Sequence, residues 1–163
     1  MAAIAVALAA GLAGMAARLS TGHLADAPEL ADQADVSRRR VAPLARADAE
    51  SYGQVLDAYR NPEDRTARVR EALSGAADVP LAVAETGSEV AAIASRLAEE
   101  GNPNLRGDAL AAVLLADAGV RAAATLVGIN LSSANVDDDR LGRANSLVDM
   151  TAAATRRATE RDG

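Results

Sequence analysis

The stretch from Gly101 to Leu131, GNPNLRGDALAAVLLADAGVRAAATLVGINL, decides the fold of this chain. Its first residues are mostly Gly, Asn and Pro, which is typical of a turn that leads into a helix N-terminus. The remainder is an almost unbroken apolar run, which predicts a long helix from about Asn104 to Gly128. Because the run is hydrophobic nearly all round, we expect a central helix. Asp117 and Arg121 can pair within it at a spacing of four residues.

Helical periodicity continues on both sides of this stretch. Near the start of the chain, large apolar residues recur at helical spacing, and we expect a buried helix there. A polar segment follows, which Pro43 should split. An acidic run, Asp137–Asp139, suits the start of a final helix. The predicted segments, in chain order, are residues 4–19, 28–59 with the break at Pro43, 63–77, 80–101, 104–128 and 137–161. No stretch alternates with a period of two, so the chain is predicted to be an all-α, single-domain multi-helix bundle over residues 1–163.

The composition predicts association between copies. Half of the 163 residues are hydrophobic, but the aromatic residues are only Tyr52 and Tyr59. Small aliphatic side chains must therefore make the core, and such a core buries little apolar area per residue. Association would compensate for this. We expect a homodimer whose interface includes the first helix, where Gly11 and Gly14 allow a close approach.

Composition also excludes several classes of function. The net charge of −6 and the near absence of aromatic residues argue against nucleic-acid binding. The chain has neither lysine nor cysteine, which excludes a lysine Schiff base, a thiolate nucleophile and disulfides. Residues 1–19 are apolar but lack the basic segment of a signal peptide, and alanine inserts poorly into membranes. We therefore expect no membrane partner and a cytoplasmic location.

Two polar groups of residues are candidates for chemistry. Asp48 and Tyr52 are four residues apart and share a helical face, to which Tyr59 returns, whereas Glu50 points elsewhere. This face is either a site or a set of tyrosines that fill the core beside a solvated aspartate.

The second group surrounds the start of the long helix and consists of Asn102, Asn104 and Asp108. These residues either cap the helix or present amides and a carboxylate to a ligand. Asp137–Asp139 lacks the alternating ligands of a calcium loop, and we expect no metal.

Three segments, in order and spacing, resemble the cyclodeaminase/cyclohydrolase family, the helical enzymes of one-carbon folate metabolism. They are Asp48-Ala49-Glu50-Ser51-Tyr52, Val79-Pro80-Leu81-Ala82-Val83-Ala84-Glu85, and Gly101 to Asp108 with the helix behind it. The resemblance covers nearly the whole chain. It departs at Gly107, where the family has a serine, and at Met1, which stands where the family's Gly-rich loop ends.

The resemblance implies an enzyme that acts on the carbon bridging two nitrogens of tetrahydrofolate. The folate is the substrate, and no metal or other cofactor is required. Methenyl-tetrahydrofolate cyclohydrolase is favoured slightly over formimino-tetrahydrofolate cyclodeaminase, because the chain lacks a fused formiminotransferase domain. The implied acid–base pair is Asp48 and Asp108. The implied substrate-binding residues are Tyr52, Asn102, Asn104 and Asn130.

Other interpretations stay open at this point. The missing Gly-rich loop suits a non-catalytic helical interaction protein derived from this family. Arg38–Arg40 is either a solvated face or a positive patch for the glutamate tail of a folate. His23 stands alone in a polar loop, where a solvated role is the commoner one. The sequence also leaves undecided whether Asp48 and Asp108 meet within one chain or across a dimer.

Overall fold

The structure, a computed structural model, describes residues 1–160. Over these residues it contains seven α-helices and one 3₁₀ turn, with no strand, which confirms the all-α prediction. The helices are α1 Ala2–Arg18, α2 Ala27–Val41, α3 Leu44–Arg60, α4 Arg65–Gly75, α5 Asp78–Glu100, α6 Arg106–Ala134 and α7 Asp139–Thr159, with the 3₁₀ turn at Pro103–Leu105.

Most of the predicted helix boundaries agree with the structure. The break at Pro43 is confirmed, and Asp138 caps the last helix by accepting a hydrogen bond from the backbone N–H of Arg140. The long helix α6, however, continues past Gly128 to Ala134. It ends at Asn135, whose left-handed backbone (φ 51°) is a common helix terminator. Gly128 keeps a negative φ and therefore does not end the helix.

Helix α6, predicted to be a central helix, contacts four other helices but is not enclosed on every side. α6 packs against α1, α4, α5 and α7, but Leu114 and Ile129 on its outer side are about half exposed. Its length and composition would also allow a membrane span, yet 44% of its most apolar window is buried within the bundle. The most enclosed helix is α5, which has buried residues on nearly every turn. Periodicity alone could not show which of the two helices is more buried, because both are rich in alanine and valine.

The first helix is only half buried, contrary to the prediction of a buried helix. Its small residues face the core, among them Ala9, Ala10 and Ala13, which are fully buried together with Val6. Its large residues point outward, in a row made of Ile4, Leu8, Met15 and Leu19. The physical reason is that small side chains let α1 lie close to α2 and α6, so the larger ones are left on the opposite side.

Helices α1, α5 and α6 come closest at two glycines. A β-carbon on Gly119 would lie 2.6 Å from Cγ2 of Val6, and one on Gly87 would lie 2.6 Å from Cγ2 of Val120. Both valines are fully buried, and their branched side chains have little freedom to move. The glycines therefore set the distance between the three helices.

Arg140 joins three helix ends on the other side of the molecule. Its guanidinium donates to the carbonyl and hydroxyl oxygens of Ser74 at the end of α4, both at 2.8 Å. It also pairs with Asp78 at the start of α5 and with Asp138, each at 2.6 Å. The hydrogen bond that the Arg140 guanidinium donates to the Asp138 carboxylate raises the pKa of Arg140 and lowers the pKa of Asp138. This cluster fixes the position of α4, which forms one wall of the candidate site.

We predict that Gly119→Ala destabilises the protein. Alanine gains about 1 kcal/mol of helix propensity over glycine, but overpacking in a rigid core costs about 1–3 kcal/mol. We expect a lower melting temperature for this variant in thermal unfolding. The control is Gly142→Ala in α7, where no atom lies within 4 Å of the new β-carbon. That variant should melt at or above the wild-type temperature, and equal effects of the two substitutions would contradict the packing argument.

Candidate functional site

A cavity of about 250 Å³ lies between α3, α4 and α6. Three residues that the sequence analysis singled out line it together, namely Asp48 and Tyr52 from α3 and Asn130 from α6. The remaining walls are mostly apolar: Val55, Leu73, Ala76, Leu126 and Ile129, with Ser51 beside them. The cavity thus brings a carboxylate, a phenol and an amide together beside apolar walls.

Helix α3 positions the carboxylate and the phenol. Asp48 and Tyr52 share one face as predicted, and Glu50 points elsewhere and pairs with Arg46 at 2.7 Å. Tyr52 is 63% exposed and Tyr59 45%, so the interpretation that the tyrosines fill the core is wrong. Tyr59 does not line the cavity. The guanidinium of Arg65 lies 5.7 Å from the centre of its ring.

The Asp48 carboxylate is available for chemistry. Asp48 is partly buried, and its carboxylate has no hydrogen bond or ion pair with any residue in the range 1–160. Ser51 donates its hydroxyl hydrogen bond to the backbone carbonyl of Asp48 (3.0 Å), not to the carboxylate. A carboxylate without protein partners at a cavity wall can accept a proton from a bound molecule.

Asn130 is held in place by the end of α4. Its amide nitrogen donates to the carbonyl oxygen of Ala76 at 2.9 Å, and this bond is partly buried. The amide oxygen has no partner among the described residues, so it can accept a hydrogen bond from a ligand.

The other predicted residues lie at the opposite end of α6. Asn102 acts as a cap, because its amide oxygen accepts from the backbone N–H of Asn104 and its amide nitrogen donates to the carbonyl of Leu19, both at 3.0 Å. The capping interpretation is therefore correct for Asn102. The side chains of Asn104 and Asp108 have no hydrogen bond or ion pair within residues 1–160, and Asp108 is partly buried.

The two predicted carboxylates do not meet within one chain. Asp108 and Asn130 lie on the same continuous helix, 22 residues apart by number. At a rise of 1.5 Å per residue, their backbones are about 33 Å apart. Since Asp48 lines the cavity with Asn130, the structure assembles only Asp48, Tyr52 and Asn130 in one place.

The remaining candidates lie away from the cavity. Arg40 pairs with Glu89 and donates to the hydroxyl of Thr86, and Arg38 lies 3.9 Å from Asp35. Carboxylates therefore offset much of the charge expected from Arg38–Arg40. His23 is exposed in the turn after α1. Within residues 1–160, no group of three or more acidic or histidine side chains could hold a metal ion.

Sequence reasoning missed the part of the site that α4 builds. Leu73 and Ala76 close the cavity on that side, and no polar motif in their segment signals it. Larger depressions of 550 and 750 Å³ flank α4, lined in part by Arg68 and Arg70 respectively. They contain none of the residues that the sequence analysis selected.

An all-helical domain that holds an unpaired carboxylate, a phenol and an amide against apolar walls is suited to acid–base chemistry on a partly apolar ring system. Comparison with known proteins assigns the chain to a specific family. The family model for formiminotransferase-cyclodeaminase matches residues 1–155, and the chain belongs to this family.

Two relatives agree with this assignment. The chain is 33% identical over 175 residues to a methenyltetrahydrofolate cyclohydrolase from Methylorubrum extorquens, covering 98% of this chain and 84% of that protein. It is similar in structure to a formiminotetrahydrofolate cyclodeaminase from Thermotoga maritima, with a TM-score of 0.86 and 26% identity. That match covers 98% of this chain and 83% of the other.

We predict that Asn130→Asp destabilises the cavity wall. The substitution keeps the shape but replaces a donating amide by a carboxylate that faces the Ala76 carbonyl. It removes a hydrogen bond worth about 1 kcal/mol and adds a repulsion between two acceptors. Thermal unfolding should show a clearly lower melting temperature at neutral pH. Asn145→Asp, an exposed site on α7 with the same change of charge, is the control and should leave the melting temperature nearly unchanged. Equal shifts would contradict the structural role of Asn130.

Proposed function

We propose that the protein is a one-carbon folate enzyme, a methenyl-tetrahydrofolate cyclohydrolase, and that its reaction takes place in the cavity of Asp48, Tyr52 and Asn130. The observation that carries the proposal is the meeting of these three side chains in one cavity of a chain from this family. The 33% identity to a cyclohydrolase, against 26% to a cyclodeaminase, favours hydrolysis over ammonia release.

The proposed reaction needs proton transfer and no redox step. Water adds to the cationic carbon that bridges two nitrogens, and the Asp48 carboxylate accepts a proton from that water as the carbon–oxygen bond forms. The tetrahedral carbon then expels one nitrogen, which takes up a proton as its bond to carbon breaks, while the hydroxyl group formed from the water loses its remaining proton to solvent and becomes the carbonyl oxygen. The carbon is left as a formyl group on the other nitrogen, and one proton is released overall. A positioned general base typically contributes a factor of about 10²–10⁴ to such a step.

The other polar groups orient the substrate. The free amide oxygen of Asn130 can accept a hydrogen bond from a ring N–H, and the Tyr52 ring can cover one face of the heterocycle. The tetrahydrofolate derivative is the substrate, and we propose no resident cofactor. We further expect a cytoplasmic enzyme that acts as a homodimer and binds neither nucleic acid nor membrane.

We predict that Asp48→Asn lowers the rate of methenyl-tetrahydrofolate hydrolysis by roughly 10²–10⁴-fold, as loss of a general base does. Stability should change little, because the carboxylate has no described protein partner. The assay follows loss of the methenyl absorbance, corrected for spontaneous hydrolysis, alongside a thermal melt.

The matched control for this prediction is Asp57→Asn. It lies on the same helix but outside the cavity, and its carboxylate forms an exposed pair with Arg60. Its rate should equal that of the wild type. A wild-type rate in Asp48→Asn would refute the assignment of the base. No catalysed hydrolysis by the wild-type protein would favour the non-catalytic interaction protein, and release of ammonia from the formimino substrate would favour the cyclodeaminase.

A further inference from the structure

The proposed reaction requires a proton donor as well as a proton acceptor. Asp48 takes the proton of the attacking water, and the nitrogen that leaves the tetrahedral carbon needs a proton of its own. Asp108, the other carboxylate of the predicted pair, does not supply it within the chain, because its backbone is about 33 Å from that of Asn130 along α6. A donor within this chain therefore has to line the cavity.

Few of the residues that line the cavity can give up a proton. Those with polar side chains are Asp48, Ser51, Tyr52 and Asn130, and the walls from α4 and α6 contribute no titratable side chain. Ser51 already donates its hydroxyl hydrogen to the backbone carbonyl of Asp48. The amide nitrogen of Asn130 donates to the carbonyl of Ala76, and a carboxamide is too weak an acid for this step. Tyr52 is the remaining acid of the cavity besides Asp48.

The Tyr52 hydroxyl has a proton that no other described group holds. It forms no hydrogen bond with any residue of the described range 1–160. A phenolic hydroxyl both donates and accepts hydrogen bonds, and tyrosine is one of the residues that serve as general acids. Tyr52 also lies one helical turn after Asp48 on the same face of α3, a spacing at which β-carbons are about 5–6 Å apart. The cavity thus places an available proton beside the base.

The direction in which the nitrogen takes up its proton suits a residue above the ring. Once water has added to the carbon, the nitrogen is no longer conjugated with it, and its lone pair points out of the ring plane. A group that covers a face of the heterocycle can reach this lone pair, whereas a group in the ring plane cannot. Tyr52 lines the cavity and is 63% exposed, so its ring stands at the mouth and has room to tilt over a bound heterocycle.

We propose that Tyr52 is the general acid of the reaction and that Asp48 restores its proton. This proposal rests on the proposed function. As the bond between the carbon and the departing nitrogen breaks, its electron pair stays on the nitrogen, which takes the hydroxyl proton of Tyr52. Asp48 holds the proton taken from the water and passes it to the Tyr52 phenolate, so both side chains return to their starting forms. The hydroxyl group on the carbon loses its proton to solvent, and one proton is released per turnover.

The variant Tyr52→Phe removes the hydroxyl and keeps the ring. A positioned acid contributes about 10²–10⁴-fold, and we expect kcat to fall by about 10²-fold, because solvent reaches this exposed residue and replaces part of its function. KM and the melting temperature should change little, since the ring still covers the substrate. Tyr52→Ala removes the ring as well and should also raise KM. The matched control is Tyr59→Phe on the same helix but outside the cavity, which should keep the wild-type kcat and KM.

Fluorinated tyrosine reports on the transferred proton itself, because Tyr52 and Tyr59 are the only tyrosines of the chain. In Tyr59→Phe produced with 3,5-difluorotyrosine, only Tyr52 carries fluorine, which makes its phenol more acidic. A general acid is inactive once it has ionised, so activity is lost as the pH rises through its pKa. The alkaline limb of the kcat profile should therefore move to lower pH than in unfluorinated Tyr59→Phe. Fluorinated Tyr52→Phe, which is labelled only at Tyr59, is the control and should show no such shift.

Three results would contradict this assignment. A wild-type kcat in Tyr52→Phe would overturn the proposal and leave the proposed function standing, with Asp48 carrying both proton transfers. An alkaline limb that stays in place on fluorination of Tyr52 would likewise overturn the proposal, because the rate would not depend on the phenolic proton. A wild-type protein that does not accelerate the hydrolysis of methenyl-tetrahydrofolate would overturn the proposed function, and the role of Tyr52 with it.

Discussion

The close approach of α1, α5 and α6 is the constraint on which the rest of the structure depends. Gly119 and Gly87 leave no room for a β-carbon beside Val6 and Val120, so the three helices lie nearer to one another than larger residues would permit. The core that results consists mainly of alanine and valine. Such a core gains little apolar burial per residue, and the larger side chains of α1 are left on the outside. The exposed apolar face is therefore a consequence of the way the core is packed.

The same constraint determines how the site is built. Packed against α1 and α5, helix α6 runs for 29 residues and carries polar groups near both ends. At one end, Asn130 is tied to Ala76, and Arg140 holds the last turn of α4 against the start of α7. Hydrogen bonds between helix ends thus hold the cavity walls together with the buried apolar cluster of Val55, Leu73 and Ala76. At the other end, Asp108 has no described protein partner and remains free for a ligand.

Sequence patterns predicted the helical class, the break at Pro43 and the pairing of Asp117 with Arg121, which are joined at 2.8 Å. These features depend on local spacing, which the sequence contains directly. The face shared by Asp48 and Tyr52 was predicted for the same reason. Which side of α1 is buried could not be predicted, because periodicity marks an apolar stripe but not whether this chain or another copy covers it. The separation of Asp48 from Asp108 depends on tertiary packing and on the length of α6. The sequence-based prediction ended this helix at Gly128, whereas it continues to Ala134.

The central claim is that the cavity of Asp48, Tyr52 and Asn130 binds the folate substrate, and calorimetry tests it most directly. Binding of a tetrahydrofolate derivative would be measured for the wild-type protein and for Tyr52→Ala, alongside a thermal melt of each. Our account predicts that the wild type binds and that the variant binds more weakly at a nearly unchanged melting temperature, because the Tyr52 side chain lines the cavity but is 63% exposed. Equal affinity of the two proteins would contradict it.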